Sequence, residues 1–366
     1  MSEPPSGRAA PFRRLGRTDI ELPPVCFGAY AIGGTKWGGV DESAAKGALL
    51  ASFENGAAAV DTAPVYGFGL SEQLVGAALK EFRSSQVTVM TKVGLRWDDP
   101  RGAFGFQGEG PDGRKLTVKR NCRPDSIRAE VEASLRRLCL ERIDLVQVHA
   151  LDPTTPIADA MGALAELREE GKIAAIGVSN YSTAEIVEAQ GALGDVPLAS
   201  TQTLYHLLDR TAETGVLALV RSREVGFLCY SPLAQGLLTG KVTPERQFAK
   251  GDSRAGRPLF LPENRRRVME CLESHVMSIA QRHGVTLAQV VIAWTAAQAG
   301  VTSALVGART PAQAKENADA AQVRLTPEEC STIHRGFVDL TLEQGPPPGL
   351  VDRLRGRWHR LRFGAR

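Results

Sequence analysis

Eight short apolar, β-branched runs, each followed by a helical pattern, constrain this chain more than any other feature. They read PVCFGAY (24–30), AAAVDTA (57–63), VTVMTKV (87–93), IDLVQVH (143–149), AAIGVSN (174–180), LASTQTL (198–204), GFLCYSP (226–232) and TSALVGA (302–308). Amphipathic stretches lie between them. In DSIRAEVEASLRRLCL (125–140), Ile127, Val131, Leu135 and Leu138 recur on one helical face. ESAAKGALLASFENG (42–56) closes on Gly56 and PIADAMGALAELREEGK (156–172) closes near Gly171, both suited to stopping a helix. Apolar strands alternating with helices require a parallel sheet covered by helices. Eight such units predict an α/β chain folded as a single (β/α)8 TIM barrel, with an open doubly wound sheet as the alternative.

The two folds differ in where polar residues should fall. In a barrel they gather at the C-terminal ends of many strands. Here Asp61, Lys92, His149, Ser179 with Asn180, Gln202 and Tyr230 each close one of the runs. The barrel is therefore the favoured fold. It makes neighbours of the second, third and fourth strand ends, so Asp61, Tyr66, Lys92 and His149 should face one mouth.

Composition narrows the function classes. With 366 residues, 43% hydrophobic and 23% charged, the chain reads as globular, and a net charge of +3 implies no nucleic-acid partner. No apolar run is long enough to span a membrane, and MSEPPSGRAAPFRRLG lacks the apolar core of a signal peptide. The six cysteines form no CxxC pairs, which gives neither a zinc site nor a disulfide framework and fits a reducing cytoplasm. Residues 1–11 read as a disordered lead, 12–336 as the barrel and 337–366 as a C-terminal extension. In its last stretch, VDRLRGRWHRLRFGAR, six arginines face one aspartate, as in a solvated tail. GAFGFQGEGPDGRKLTVKR (102–120) is long for a βα loop and reads either as a hairpin over the barrel mouth or as a disordered insertion.

Singly, each polar residue has a bland reading: packing for a tyrosine, a solvated lysine, a hydrogen-bonded core histidine, an Asx turn or helix cap for Asp61. Together they have a chemical logic. A tyrosine with a pKa of about 10 is a poor proton donor at neutral pH. An adjacent ammonium from Lys92 would favour the phenolate, lower that pKa and make Tyr66 a usable general acid. Asp61 would keep Lys92 protonated and aimed, and His149 would donate a hydrogen bond to a substrate oxygen. Such a site moves a proton to oxygen and needs a partner that supplies electrons.

The glycines do not identify that partner. Gly67-Phe68-Gly69 lacks the third glycine of GxGxxG and follows the second run; it reads as a tight turn into a helix, with Ser71 or a neighbour near the cap. GLLTGKV (236–242) lacks one spacer residue of a phosphate loop and has Val242 where a magnesium-binding hydroxyl belongs.

DTAPVYGFG (61–69), TKVGLRW (91–97), DLVQVH (144–149) and GKIAAIGVSNYS (171–182) resemble the aldo-keto reductase superfamily. YSPLAQGLLTGK (230–241) and GARTPAQAKEN (307–317) extend the likeness over roughly residues 12–335, and AYAIGGTKWGGVDE (29–42) is similar to its bacterial general-stress and inositol-cluster branch. The resemblance implies a (β/α)8 barrel that binds NADP(H), or alternatively NAD(H), without a Rossmann fold. It implies Asp61, Tyr66, Lys92 and His149 as the catalytic set. Gly28, Ala29, Tyr30 and Asp61 would border the cofactor; Ser179, Asn180 and Gln202 would hold its carboxamide; Tyr230 would stack on the ring. Backbone at Ser231, Leu233 and Gly236 would cradle the pyrophosphate, and Gly307, Ala308, Arg309 and Thr310, with Gln313, Glu316 and Asn317, the adenosine end. Arg309 at a helix N-terminus is the expected 2′-phosphate anchor.

Three departures from the branch stand out. A second basic residue often found at Thr310 or Gln313 is missing. Ala150-Leu151 replaces the usual Trp-Pro after His149, which would open the substrate pocket, and Tyr205-His206 replaces Tyr-Asn. Tyr30, Trp37, Trp97 and Ala150 are the pocket candidates. The resemblance implies reduction of aldehyde, ketone or sugar-like carbonyls, acting as a monomer or homo-oligomer on a small carbonyl or alcohol. Alternatives are dehydrogenation of a hemiacetal or alcohol, and a cofactor-bound sensor subunit of the kind known for potassium channels. An aldolase-like barrel with Lys92 as a Schiff base would leave the GVSN and GART motifs unexplained.

Overall fold

The computed structural model describes residues 12–34, 39–82, 87–110, 113–249 and 251–344. Eight parallel strands close into a barrel: β1 (Val25–Gly28), β2 (Ala59–Asp61), β3 (Thr88–Val93), β4 (Ile143–Val148), β5 (Ile173–Ser179), β6 (Leu198–Leu204), β7 (Gly226–Tyr230) and β8 (Val301–Val306). They pair in chain order, and β8 returns to β1 through Leu305 opposite Cys26. Each of the eight apolar runs supplies one strand, so the (β/α)8 barrel is the fold and the open sheet is not.

Small and large side chains alternate inside the barrel. Cys26, Ala59, Met90, Leu145, Ala175, Ala199, Leu228 and Leu305, one from each strand, form a buried inner cluster with Leu15 and Leu22. Alanine beside methionine or leucine fills a tapering space without voids. Leu22 lies in a short antiparallel pair, Arg13–Arg14 with Leu22–Glu21, and Leu15 follows Arg14 in the connecting turn; together they plug the N-terminal end. The opposite end is left for chemistry.

Helices α1 (Glu42–Glu54), α2 (Leu70–Phe82), α3 (Pro124–Leu138), α4 (Ile157–Glu169) and α5 (Thr183–Leu193) wrap the first half of the barrel; α6 (Val216–Arg223), α7 (Pro262–His275), α8 (Met277–His283), α9 (Leu287–Ala297), α10 (Pro311–Asp319) and α11 (Pro327–Val338) complete the ring. The Ile127, Val131 and Leu138 stripe of α3 is fully buried, as the helical spacing requires. Asp41 caps α1, and capping boxes at Ser182, Thr286 and Thr326 start α5, α9 and α11. Ser71 is not a cap. It lies buried in the first turn of α2, where its hydroxyl donates to Ala29 O at 3.0 Å and meets Thr62 Oγ1 at 2.8 Å.

The long segment after β3 is a hairpin. Ala103–Glu109 and Lys115–Arg120 pair antiparallel, and Leu95–Arg96 adds a third strand. Beyond α11 the backbone is stitched to α7, where Asn264 exchanges two hydrogen bonds with Glu343. Residues 1–11, the Arg-rich end of the chain and Trp37 lie outside the described residues. Among the described residues no helix is long and apolar enough to cross a membrane.

Candidate active site

The side chains that close β2, β3 and β4 meet at the C-terminal mouth. Lys92 Nζ donates to Asp61 Oδ2 at 2.5 Å, to Thr62 O at 3.0 Å and to Tyr66 Oη at 3.2 Å. Lys92 and Asp61 are almost wholly buried. The Tyr66 ring meets His149 edge-on at 5.7 Å and Tyr30 edge-on at 5.0 Å. His149 N donates to Val93 O at 2.9 Å, which ties the histidine to the strand carrying Lys92. The loop bearing Tyr66 can come this close because Gly67 has no side chain; a Cβ there would strike Gly33 O.

Two glutamines support the carboxylate. Gln202 Nε2 donates to Asp61 Oδ1 at 2.8 Å and Gln147 Nε2 to the same atom at 3.2 Å. Asp61 is thus held by an ammonium on one oxygen and two amides on the other, which offsets much of the cost of burying its charge. Gln147 sits inside an apolar run, where only its odd polarity could have marked it. A second brace lies behind Lys92. Glu72, fully buried in α2, accepts from Thr91 Oγ1 at 2.7 Å and from Arg137 Nε at 2.6 Å.

The electrostatics correct one expectation. Tyr66 is pushed well above its ordinary pKa, first by burial and then by the Asp61 carboxylate, so Lys92 does not leave a depressed phenol here. Burial and the Asp61 carboxylate together outweigh the pull of the ammonium. A protonated phenol is the form that donates. Burial draws the Lys92 pKa down, while Asp61 and Glu72 push back. Burial, then Lys92, holds His149 well below the ordinary imidazole value, so its ring is neutral and keeps one N–H to donate.

From this floor a cavity of about 590 Å³ runs across the mouth to Arg309. Its lining includes Gly28, Tyr30, Asp61, Tyr66, His149, Ser179, Asn180, Gln202 and Tyr230, then Ser231, Leu233 and Gly236, and finally Gly307, Arg309, Gln313, Glu316 and Asn317. Asn180 organises its middle. The side chain donates to His149 O at 3.1 Å and to Ser179 Oγ at 3.0 Å, and accepts from Tyr230 Oη at 2.9 Å. Ser231, Ala234, Gln235 and Gly236 are all left-handed, so the backbone bends sharply where Ser231, Leu233 and Gly236 line the cavity. At the far end Thr310 caps α10 and Gln313 Oε1 accepts from Arg309 N at 2.9 Å. Arg309 also donates to Gly39 O at 2.8 Å, and Lys241 pairs with Glu316 at 3.3 Å.

Several expected residues stand elsewhere. Ala29, buried behind the first strand end, is outside the lining, and Lys92 lies beneath it. Trp97 is one layer back, edge-on to Phe68 at 5.5 Å, so Phe68 takes the wall position. Ala150 is outside the lining, and its carbonyl accepts from Cys122 Sγ. His206 is buried in the turn after β6, where its ring accepts from Leu208 N at 3.1 Å, and Tyr205 stacks on Trp294 in the outer core at 6.1 Å. The lining also holds Val65, Phe68, Leu95 and Phe106, with Lys241, Arg246 and Arg254 at the other end. Phe68 is left-handed at φ 54°, a conformation that costs a bulky residue about 1–2 kcal/mol.

Residues 24–335 match the aldo/keto reductase family. This chain belongs to that family. The NADH-specific methylglyoxal reductase of Escherichia coli is 37% identical over 87% of this chain and 96% of its own length. The aldo-keto reductase YhdN of Bacillus subtilis is 35% identical over 82% of this chain and 86% of its own length. Among solved structures, the glycerol dehydrogenase AKR11B4 from Gluconobacter oxydans superposes with a TM-score of 0.79 at 34% identity, covering 93% of this chain and all of that one. As an aldo-keto reductase the chain is an oxidoreductase of a family that uses nicotinamide cofactors, with bacterial neighbours.

Proposed function

We propose that this chain reduces aldehydes or ketones with NADP(H), Tyr66 delivering the proton. The observation that carries the reading is the Lys92 ammonium, 3.2 Å from Tyr66 Oη and 2.5 Å from Asp61, under a cavity that reaches Arg309. The donor set fits a dinucleotide: amide and hydroxyl side chains beside the tyrosine, the sharply bent backbone at 231–236, and an arginine beside the N-terminus of α10.

When bound, the cofactor supplies a hydride for the carbonyl carbon. The protein supplies everything else. Ser179, Asn180 and Gln202 would hold the nicotinamide carboxamide, and Tyr230, fixed through Asn180, would lie against the ring. A neutral His149 donates to the carbonyl oxygen and orients it. The Tyr66 phenol gives its proton to that oxygen, and Lys92 stabilises the phenolate as it forms. Asp61 keeps Lys92 charged, with Gln147 holding Asp61. Run backwards, the same groups would dehydrogenate an alcohol, the activity named for the Gluconobacter relative. We assign the chain to a reducing cytoplasm because its six cysteines are scattered through the sequence without CxxC pairs.

The preference for the phosphorylated cofactor rests on Arg309. The Escherichia coli relative is named NADH-specific, so NADH is the competing outcome. Fluorescence titration of wild type and Arg309→Ala with both cofactors decides. Loss of a charge-assisted contact should weaken NADPH about tenfold or more and NADH less than about twofold. Equal losses, or tighter NADH binding by the wild type, would remove the phosphate assignment.

A further inference from the structure

We propose that Phe68 and the hairpin strand 103–109 form an aromatic wall selecting carbonyl substrates with a flat apolar group beside the carbonyl over polyhydroxylated ones. The proposal deepens the carbonyl-reductase reading and rests on it.

The substrate end of the cavity has a polar floor and an apolar side. Tyr66, His149 and Asp61 make the floor, while Val65, Phe68, Leu95 and Phe106 make the side. Among the described lining residues, the cationic ones are Lys241, Arg246, Arg254 and Arg309, all from the segments after β7 and β8, across from that side. A sugar or sugar phosphate brings hydroxyls or charge that this side cannot pair, and unpaired polar groups are rejected strongly. An aryl or compact apolar substituent loses nothing there.

Three features indicate that the wall is built for this use. Phe68 sits left-handed at φ 54° between Gly67 and Gly69, so the chain accepts backbone strain at the residue whose ring reaches the cavity. Strain of this kind concentrates at functional sites. The Phe68 ring is backed edge-on by Trp97 at 5.5 Å, which fixes its orientation. The hairpin lies directly on the ring: a Cβ at Gly108 would come within 2.9 Å of Phe68 Cζ and 3.7 Å of Phe106 Cε2. Glycine at 108 lets the strand settle low enough for Phe106 to join the lining.

The test compares kcat/KM for benzaldehyde and glyceraldehyde in wild type, Phe106→Ala and Gly108→Val. Removing the ring, or lifting the strand off Phe68, should lower the benzaldehyde-to-glyceraldehyde ratio about tenfold or more. If Phe106→Ala fails to fold, Phe106→Leu keeps the apolar volume and should lower the ratio by a smaller factor. A ratio unchanged within about twofold in folded variants overturns the proposal. A wild type that binds NADPH but reduces neither aldehyde overturns the carbonyl-reductase reading instead, and the wall proposal with it.

Discussion

Replacing Lys92 with methionine removes the ammonium that donates to the Tyr66 hydroxyl. At 3.2 Å, and at an effective dielectric of about 20, a full ammonium–phenolate pair would be worth about 5 kcal/mol. With the proton half transferred, about half of that acts in the transition state, so kcat should fall about a hundredfold. The substitution also leaves Asp61 buried with only its Gln147 and Gln202 donors, which should cost about 3 kcal/mol of stability. The two effects can be separated. Asp61→Asn combined with Lys92→Met removes the stranded carboxylate, so thermal stability should recover while the rate stays low. Single-turnover oxidation of NADPH reads the rate, and thermal unfolding reads the stability. A kcat loss under about tenfold, or a rate that recovers with the stability, would refute the reasoning.

Glu72 and Glu130 give two further tests. Glu72→Gln removes a carboxylate that raises the Lys92 pKa and strands Arg137, so the alkaline limb of kcat should move to lower pH; an unmoved limb in a folded variant contradicts the assignment. Glu130, buried in α3 and accepting from Gly94 N at 2.6 Å, is pushed up by burial to about 8. Its folded state therefore binds the proton more tightly than the unfolded chain. The resulting stability is present below the ordinary carboxylate value near 4.5 and is lost as pH rises toward about 8, by roughly a few kcal/mol. Glu130→Gln, which can still accept from Gly94, should flatten that part of the Tm–pH curve; an unchanged slope would contradict it.

The barrel is legible in the sequence because a strand buried on both faces reads as a continuous apolar run, and eight such runs at regular spacing leave little choice. Asp61, Lys92 and His149 are legible for the same reason: each interrupts an apolar pattern at a strand end. Residues that act through packing are not. Gln147 lies inside its run and becomes visible only when β2, β4 and β6 close round Asp61. Phe68 is hidden because a glycine pair signals a turn, whereas the left-handed residue that matters is the phenylalanine between them. Trp97 has the composition of a pocket wall, but its direction depends on how the hairpin folds back. The sign of the Tyr66 shift also needed three dimensions, since it is set by burial and by the nearby Asp61 carboxylate.

Tyr66→Phe tests the central claim most directly. The substitution deletes one hydroxyl from the floor of the cavity and leaves the cofactor contacts in place. Titration with NADPH should give a dissociation constant within about twofold of wild type, while single-turnover reduction of an aldehyde should fall at least about a thousandfold. Reduction at an undiminished rate by a folded, NADPH-bound variant would show that the proton comes from elsewhere.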